Sequence, residues 1–118
     1  MATRSTIGYE TQDGGYVGVY CHYDGYPDNI APQLMKMTWD EVTLQVNRAL
    51  LQGGGRCLDE CELETFNDGG HVEAITEWPS VTEEYAYRKR LDGTVECLSL
   101  SAAVGTITHI DLSKYKPY

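Results

Sequence analysis

The chain is short of cations. Nine Lys and Arg stand against 18 Asp and Glu among 118 residues, for a net charge of −9. Residues 57–84 contain no Lys or Arg at all, yet they hold Asp59, Glu60, Glu62, Glu64, Asp68, Glu73, Glu77, Glu83 and Glu84. The other nine acids are balanced by the nine bases, so this one segment carries the whole excess. Such a distribution excludes a phosphate-tracking surface and disfavours direct nucleic-acid binding. It suits a basic partner. The plainer reading is a solvated face that keeps the protein in solution.

Other absences narrow the chemistry. No apolar run is long enough to cross a bilayer, so no membrane partner is expected. The first residues, Met1-Ala2-Thr3-Arg4-Ser5-Thr6-Ile7, lack the apolar core of a signal peptide. A cytosolic location with reduced thiols at Cys21, Cys57, Cys61 and Cys97 is the resulting expectation. Gly53-Gly54-Gly55-Arg56 lacks the spacing and the Lys of a phosphate-binding loop. Cys57 and Cys61 with His71, and His22 or Cys97 as a fourth ligand, lack the second matched pair of a structural zinc site. They also read as small packed residues on a helical turn. Cys21 and His22 are adjacent on an expected strand and so face opposite ways, which prevents a direct thiolate–imidazole couple. His22 and Asp24 share one side, but Asp24 before Gly25 also reads as a turn residue. The expectation is a protein without catalytic residues, metal or cofactor.

What is present describes a single α+β domain over residues 1–118: an antiparallel sheet from two hairpins and one or two further strands, packed by a helix. The first hairpin spans residues 5–22 around Asp13-Gly14-Gly15. A three-residue loop pairs odd positions with odd, which gathers Ile7, Tyr9, Val17, Val19 and Cys21 on the core face. Gly8, Gly18, Tyr20 and His22 take the other face and leave a shallow groove or room for close packing. Asn29 is read as the cap of a short helix ending near Met37, with Pro32 in its first turn. Thr38-Trp39-Asp40-Glu41 has capping-box spacing and starts a helix over about 39–52. Its stripe of Trp39, Val42, Val46, Ala49 and Leu50 should cover the hairpin's odd face. Gly53-Gly54-Gly55 ends it. Residues 56–66 read as a helical turn or an edge strand. Residues 67–70 read as a turn, 71–78 alternate like a strand, and 106–112 suggest a last strand before a loose tail. The second hairpin spans about 84–100. A two-residue Asp92-Gly93 turn would pair Lys89 with Glu96, Tyr87 with Leu98 and Tyr85 with Leu100. Arg88, Arg90 and Cys97 then share the opposite face, and the Arg88-Lys89-Arg90 cluster offsets part of the acidic segment.

The densest stretch is Tyr20-Cys21-His22-Tyr23-Asp24-Gly25-Tyr26-Pro27. With Arg4-Ser5-Thr6-Ile7 and Asp13-Gly14 before it, the first third of the chain resembles a family of short, mostly uncharacterised bacteriophage and prophage proteins. Those open with a Thr-Arg-Ser-Thr-Ile start and carry a Tyr-Cys-His-Trp-Asp-Gly-Tyr signature; here Tyr23 stands for the Trp. The resemblance implies a phage-encoded inhibitor of a bacterial defence system, anti-CRISPR-like, that works by binding in the cytoplasm of the infected host. Combined with the acidic block, it suggests a nucleic-acid mimic. Asp59, Glu60, Glu62, Glu64, Asp68, Glu73 and Glu77 would then meet a basic nucleic-acid-binding groove on a host defence protein or complex. The alternative is a homo-oligomeric binder that sequesters a nucleotide signal. Tyr20, His22, Tyr23, Asp24 and Tyr26 would line its pocket, and Arg88 and Arg90 would meet phosphates.

Overall fold

The computed structural model describes residues 3–68, 70–79, 82–101 and 105–118. Gly69, within the expected 67–70 turn, lies outside the described residues. The fold is α+β: the described residues form two helices on a seven-stranded sheet ordered β4-β3-β2-β1-β5-β6-β7. The strands are β1 (Ser5–Glu10), β2 (Tyr16–Cys21), β3 (Gly55–Asp59), β4 (Glu62–Thr65), β5 (Tyr85–Lys89), β6 (Val95–Ser101) and β7 (Thr106–His109). The helices α1 (Pro27–Lys36) and α2 (Trp39–Leu51) lie between β2 and β3.

The first hairpin forms in the expected register. Ile7 faces Val19 and Tyr9 faces Val17, and a Thr11 N–H to Gly15 carbonyl bond closes a three-residue loop. Gly14 takes the left-handed conformation that this loop requires (φ 88°). Ile7, Tyr9, Val19 and Cys21 are buried against Val42, Val46 and Ala49 of α2. The capping box is complete, with Thr38 Oγ1 accepting from Glu41 N–H and the Glu41 carboxylate accepting from Thr38 N–H. On the opposite face the glycines admit a ring rather than a groove. A Cβ on Gly8 or Gly18 would stand within 2.6 Å of the Tyr16 side chain. The Tyr16 hydroxyl donates to the Tyr87 carbonyl.

Several expectations are corrected. The sheet is mixed rather than antiparallel: β5 runs parallel to β1, and β3 parallel to β2. Three strands, not one or two, are added to the hairpins. The second hairpin is shifted by one residue, with Tyr87 opposite Cys97 and Arg88 opposite Glu96. The reason is a three-residue loop, closed by the Arg90 N–H to Thr94 carbonyl bond, with Gly93 left-handed (φ 91°). Cys97 therefore faces the core beside Tyr87. Lys89 joins the same buried face, where Nζ donates to the Leu34 carbonyl in the last turn of α1. It adds no charge to the outer surface.

Helix α1 starts earlier than expected, with Pro27 at its first position and Tyr26 as the cap residue. Asn29 instead ties α1 to its surroundings, donating to the carbonyls of Asp24 and Leu58. Residues 56–66 form a hairpin, not a helical turn. Glu60 and Cys61 both have positive φ, as a two-residue type I′ turn demands. Residues 71–78 form no strand, because only Ile75 reaches the β2 edge, at Gly18. The tail is anchored to α1: Tyr118 N–H bonds the Pro32 carbonyl and the Tyr115 hydroxyl bonds Asp28. No helix among the described residues is long and apolar enough to cross a membrane.

Candidate functional site

The acidic residues divide between the β3–β4 hairpin and the stretch after it. Asp59 sits directly opposite Glu62, and Glu64 opposite Cys57. Leu58 and Leu63, the neighbours in alternation, are buried. Asp59, Glu62 and Glu64 therefore share the outer face, and Glu60 stands at the tip. All four are exposed. Like charges directly opposite one another destabilise a ladder, so other contacts must hold this hairpin. Buried Gln33 supplies them. Its side-chain oxygen accepts the Cys61 N–H within the strained turn, and its amide donates to the Leu58 carbonyl. From α2, Gln45 and Arg48 meet the β4 backbone, bonding the N–H and carbonyl of Leu63 respectively.

Compensation of this charge is sparse. Among the described residues, the one ion pair that reaches the acidic segment is Arg48–Glu62, at 3.7 Å and well solvated. The field is felt by Cys57. Burial raises the Cys57 thiol pKa first, and Glu64, Asp59 and Asp24 raise it further. Asp24, expected as a turn residue, a partner of His22 or a pocket residue, thus belongs electrostatically with the acidic hairpin. Asp68 accepts from Gly70 N–H in the following turn, and Glu73 and Glu77 are exposed beyond it.

Each member of the Tyr20–Pro27 run has a structural task. Tyr20 OH lies 2.5 Å from His22 Nδ1, and burial pushes the phenol pKa up, opposed by Arg4 and reinforced by Glu83. Cys21 is fully buried and its thiol is pushed up to about 12. His22 stacks edge-on to Tyr23 (4.4 Å) and lies 6.0 Å from Phe66. Asp24 takes a left-handed conformation (φ 54°). The Gly25 carbonyl accepts from the buried Tyr87 hydroxyl at 2.6 Å, and a Cβ there would strike Ser5. Tyr26 and Pro27 begin α1. Tyr23 and Phe66, each 41% exposed, border the acidic face, and the Arg56 guanidinium lies 6.0 Å from the Tyr23 ring centroid. Phe66, Arg56, Arg4 and Arg48 were missed at the sequence level. Nothing local marks them, since strand pairing and the packing of α2 on the sheet bring them here.

Arg88 and Arg90 lie elsewhere. Arg88 bonds Glu96 at 2.7 Å and lies 4.9 Å from the Trp78 ring centroid. Arg90 approaches Glu10, Asp92 and Glu96 at 3.7–3.9 Å. They offset acids outside residues 57–84, and the Tyr16 ring over Gly8 and Gly18 lies between Arg88 and Tyr20 in the sheet. The two halves of the expected nucleotide pocket are not brought together. An open depression of about 500 Å³, lined by Thr11, Gln12, Asp13, Gly15, Tyr16 and Thr76, contains neither half. Among the described residues, no group of three or more His, Cys, Asp or Glu is placed to hold a metal ion. No protein-family model, no curated protein and no solved structure matches the chain.

Proposed function

We propose that this protein acts by binding, and that the outer face of the β3–β4 hairpin is its contact surface for a basic groove on a protein that handles nucleic acid. One observation carries the reading: Asp59, Glu60, Glu62 and Glu64 are exposed together on one braced hairpin, and among the described residues a single solvated ion pair reaches them. Glu62 and Glu64 are two residues apart, about 6.8 Å along a strand. That sets like charges in a row on one face, as phosphates are set along a strand. A row of carboxylates at this pitch can stand in for phosphates. The exposed Tyr23 and Phe66 beside the row offer faces to Arg side chains of the partner. The phage-family resemblance gives the reading a setting, as an inhibitor of a host defence complex in the infected cell.

The test is capture of partners from bacterial lysate with the tagged protein, compared with an Asp59→Asn/Glu60→Gln/Glu62→Gln/Glu64→Gln variant. The expected outcome is a basic nucleic-acid-handling complex, released by salt and lost by about 100-fold or more in the variant. Thermal unfolding of the variant should come at or slightly above that of the parent, since the opposed charges of Asp59 and Glu62 are removed. A variant that captures the same complex equally well would sink the reading.

A further inference from the structure

We propose that the partner's groove is one that takes single-stranded nucleic acid, with the rings of His22, Tyr23 and Phe66 standing where the unstacked bases of that strand would. This rests on the acidic hairpin being the contact surface, and it names the class of groove. The rings continue the carboxylate row. Phe66 follows Glu64 by two positions, and its N–H extends the β4 pairing to the Gly54 carbonyl. Glu62, Glu64 and Phe66 therefore point to one face. On that face the Phe66 ring lies 6.0 Å from the His22 ring, and His22 lies 4.4 Å from Tyr23. Backbone bonds fix the last two in place: His22 N–H bonds the Gly55 carbonyl, and Tyr23 N–H bonds the Arg56 carbonyl. The Tyr20 hydroxyl holds the imidazole at Nδ1.

The packing of the rings leaves stacking surface open. His22 meets Tyr23 at 84° and Phe66 at 66°, so neither ring lies flat on the imidazole. Tyr23 and Phe66 both stay exposed. A single exposed ring is ordinary, but two gathered around one histidine form a patch of the kind that marks an interaction surface.

Charge and rings together select the occupant. A duplex shows a protein its phosphates and the edges of its bases, while the base faces are stacked inside. A surface that imitates a duplex needs charge and no ring faces. Grooves that take a single strand combine a basic track with aromatic side chains and arginines, on which successive bases stack. Carboxylates and exposed rings on one face match this second kind of groove in both respects. Tyr23 already makes one such contact within the chain, with the Arg56 guanidinium 6.0 Å from its ring centroid. Single-stranded nucleic acid is itself a poor occupant of the face, because Asp59, Glu60, Glu62 and Glu64 repel its phosphates.

Competitive elution tests this. The complex captured from bacterial lysate on the tagged protein is eluted with a mixed-sequence DNA strand of about 20 nucleotides, or with its duplex, at equal phosphate concentration. The single strand should release the complex at a concentration about tenfold lower or less. Phe66→Leu and Tyr23→Leu each keep an apolar side chain and lose the ring. Each should weaken capture about tenfold with unchanged circular dichroism, whereas Tyr23→Phe should capture like the parent. Release by the duplex as readily as by the single strand, or full capture by both leucine variants, would overturn the proposal. If capture then still needs the four carboxylates, the acidic contact surface stands without it. No capture, or capture indifferent to neutralising those carboxylates, overturns the contact surface and this proposal together.

Discussion

The two ends of the sheet use charge in opposite ways. At the β5–β6 end, Arg88 is paired with Glu96 in a largely buried contact, Arg90 lies half-exposed near Glu10, Asp92 and Glu96, and Lys89 is buried with its ammonium on the Leu34 carbonyl. At the β3–β4 end, Asp59, Glu60, Glu62 and Glu64 stand in solvent, and among the described residues their one ion pair is Arg48–Glu62. Charges at the first end hold the fold. Charges at the second are held by the fold, through Gln33, Gln45 and Arg48, against their own repulsion. A charge that structure consumes cannot recognise a partner, so the acidic end is where recognition is expected.

Substitutions at the two ends should separate these roles. The largest effect belongs to Lys89→Ala, which leaves the Leu34 carbonyl without its donor and a cavity where the stem packs. It should cost about 2–4 kcal/mol in urea denaturation, whereas Glu60→Ala should leave the midpoint unchanged. Equal losses at the two positions would erase the contrast. Next comes Arg88→Ala, which breaks a largely buried ion pair and a contact with the Trp78 ring. A loss of about 1–2 kcal/mol is expected, read as a lower melting temperature.

Thiol chemistry offers a finer probe. Cys21 and Cys97 are buried, with thiols pushed up to about 12, so iodoacetamide at pH 8 should label native protein only at Cys57 and Cys61. Neutralising Asp59 and Glu64 should lower the Cys57 pKa and speed its labelling roughly two- to tenfold, with Cys61 unchanged as the internal control. Mass-spectrometric peptide rates measure both. The smallest effect concerns Glu41. Its carboxyl pKa is held below 4.5, chiefly by the Thr38 backbone N–H. A depressed folded-state pKa adds stability above the unfolded value that is lost as pH falls through the folded one. Glu41→Gln should therefore lower stability slightly at pH 7 and show a shallower decline between pH 5 and pH 3.

Pattern and parity made the first hairpin and α2 legible, because alternation and a capping box are local signals that agree. The same parity argument would have set the second hairpin. Tyr85, Tyr87, Val95 and Cys97 are all odd and all face inward, but Asp92-Gly93, read as a two-residue turn, paired odd positions with even; the inward face also takes Lys89. Its burial depends on a helix carbonyl more than 50 positions away in the chain. Residues 71–78 alternate as a strand should, yet β3 holds the β2 edge at Cys21 and leaves them only the bridge at Gly18. The Tyr20–Pro27 run was visible as dense but not as a corner. Its partners Ser5, Asn29, Gly55 and Tyr87 come from four other segments.

By itself the sequence determined the α+β class, the amphipathic α2, the two tight turns and the acidic block, since each rests on residues close together in the chain. Tertiary structure decided the parallel joins of β1 with β5 and β2 with β3, and which charges are consumed. It also capped the β4 edge of the sheet with Gln45 and Arg48. Those outcomes depend on contacts between distant segments, where long-range pairing and the satisfaction of buried polar groups override local preference.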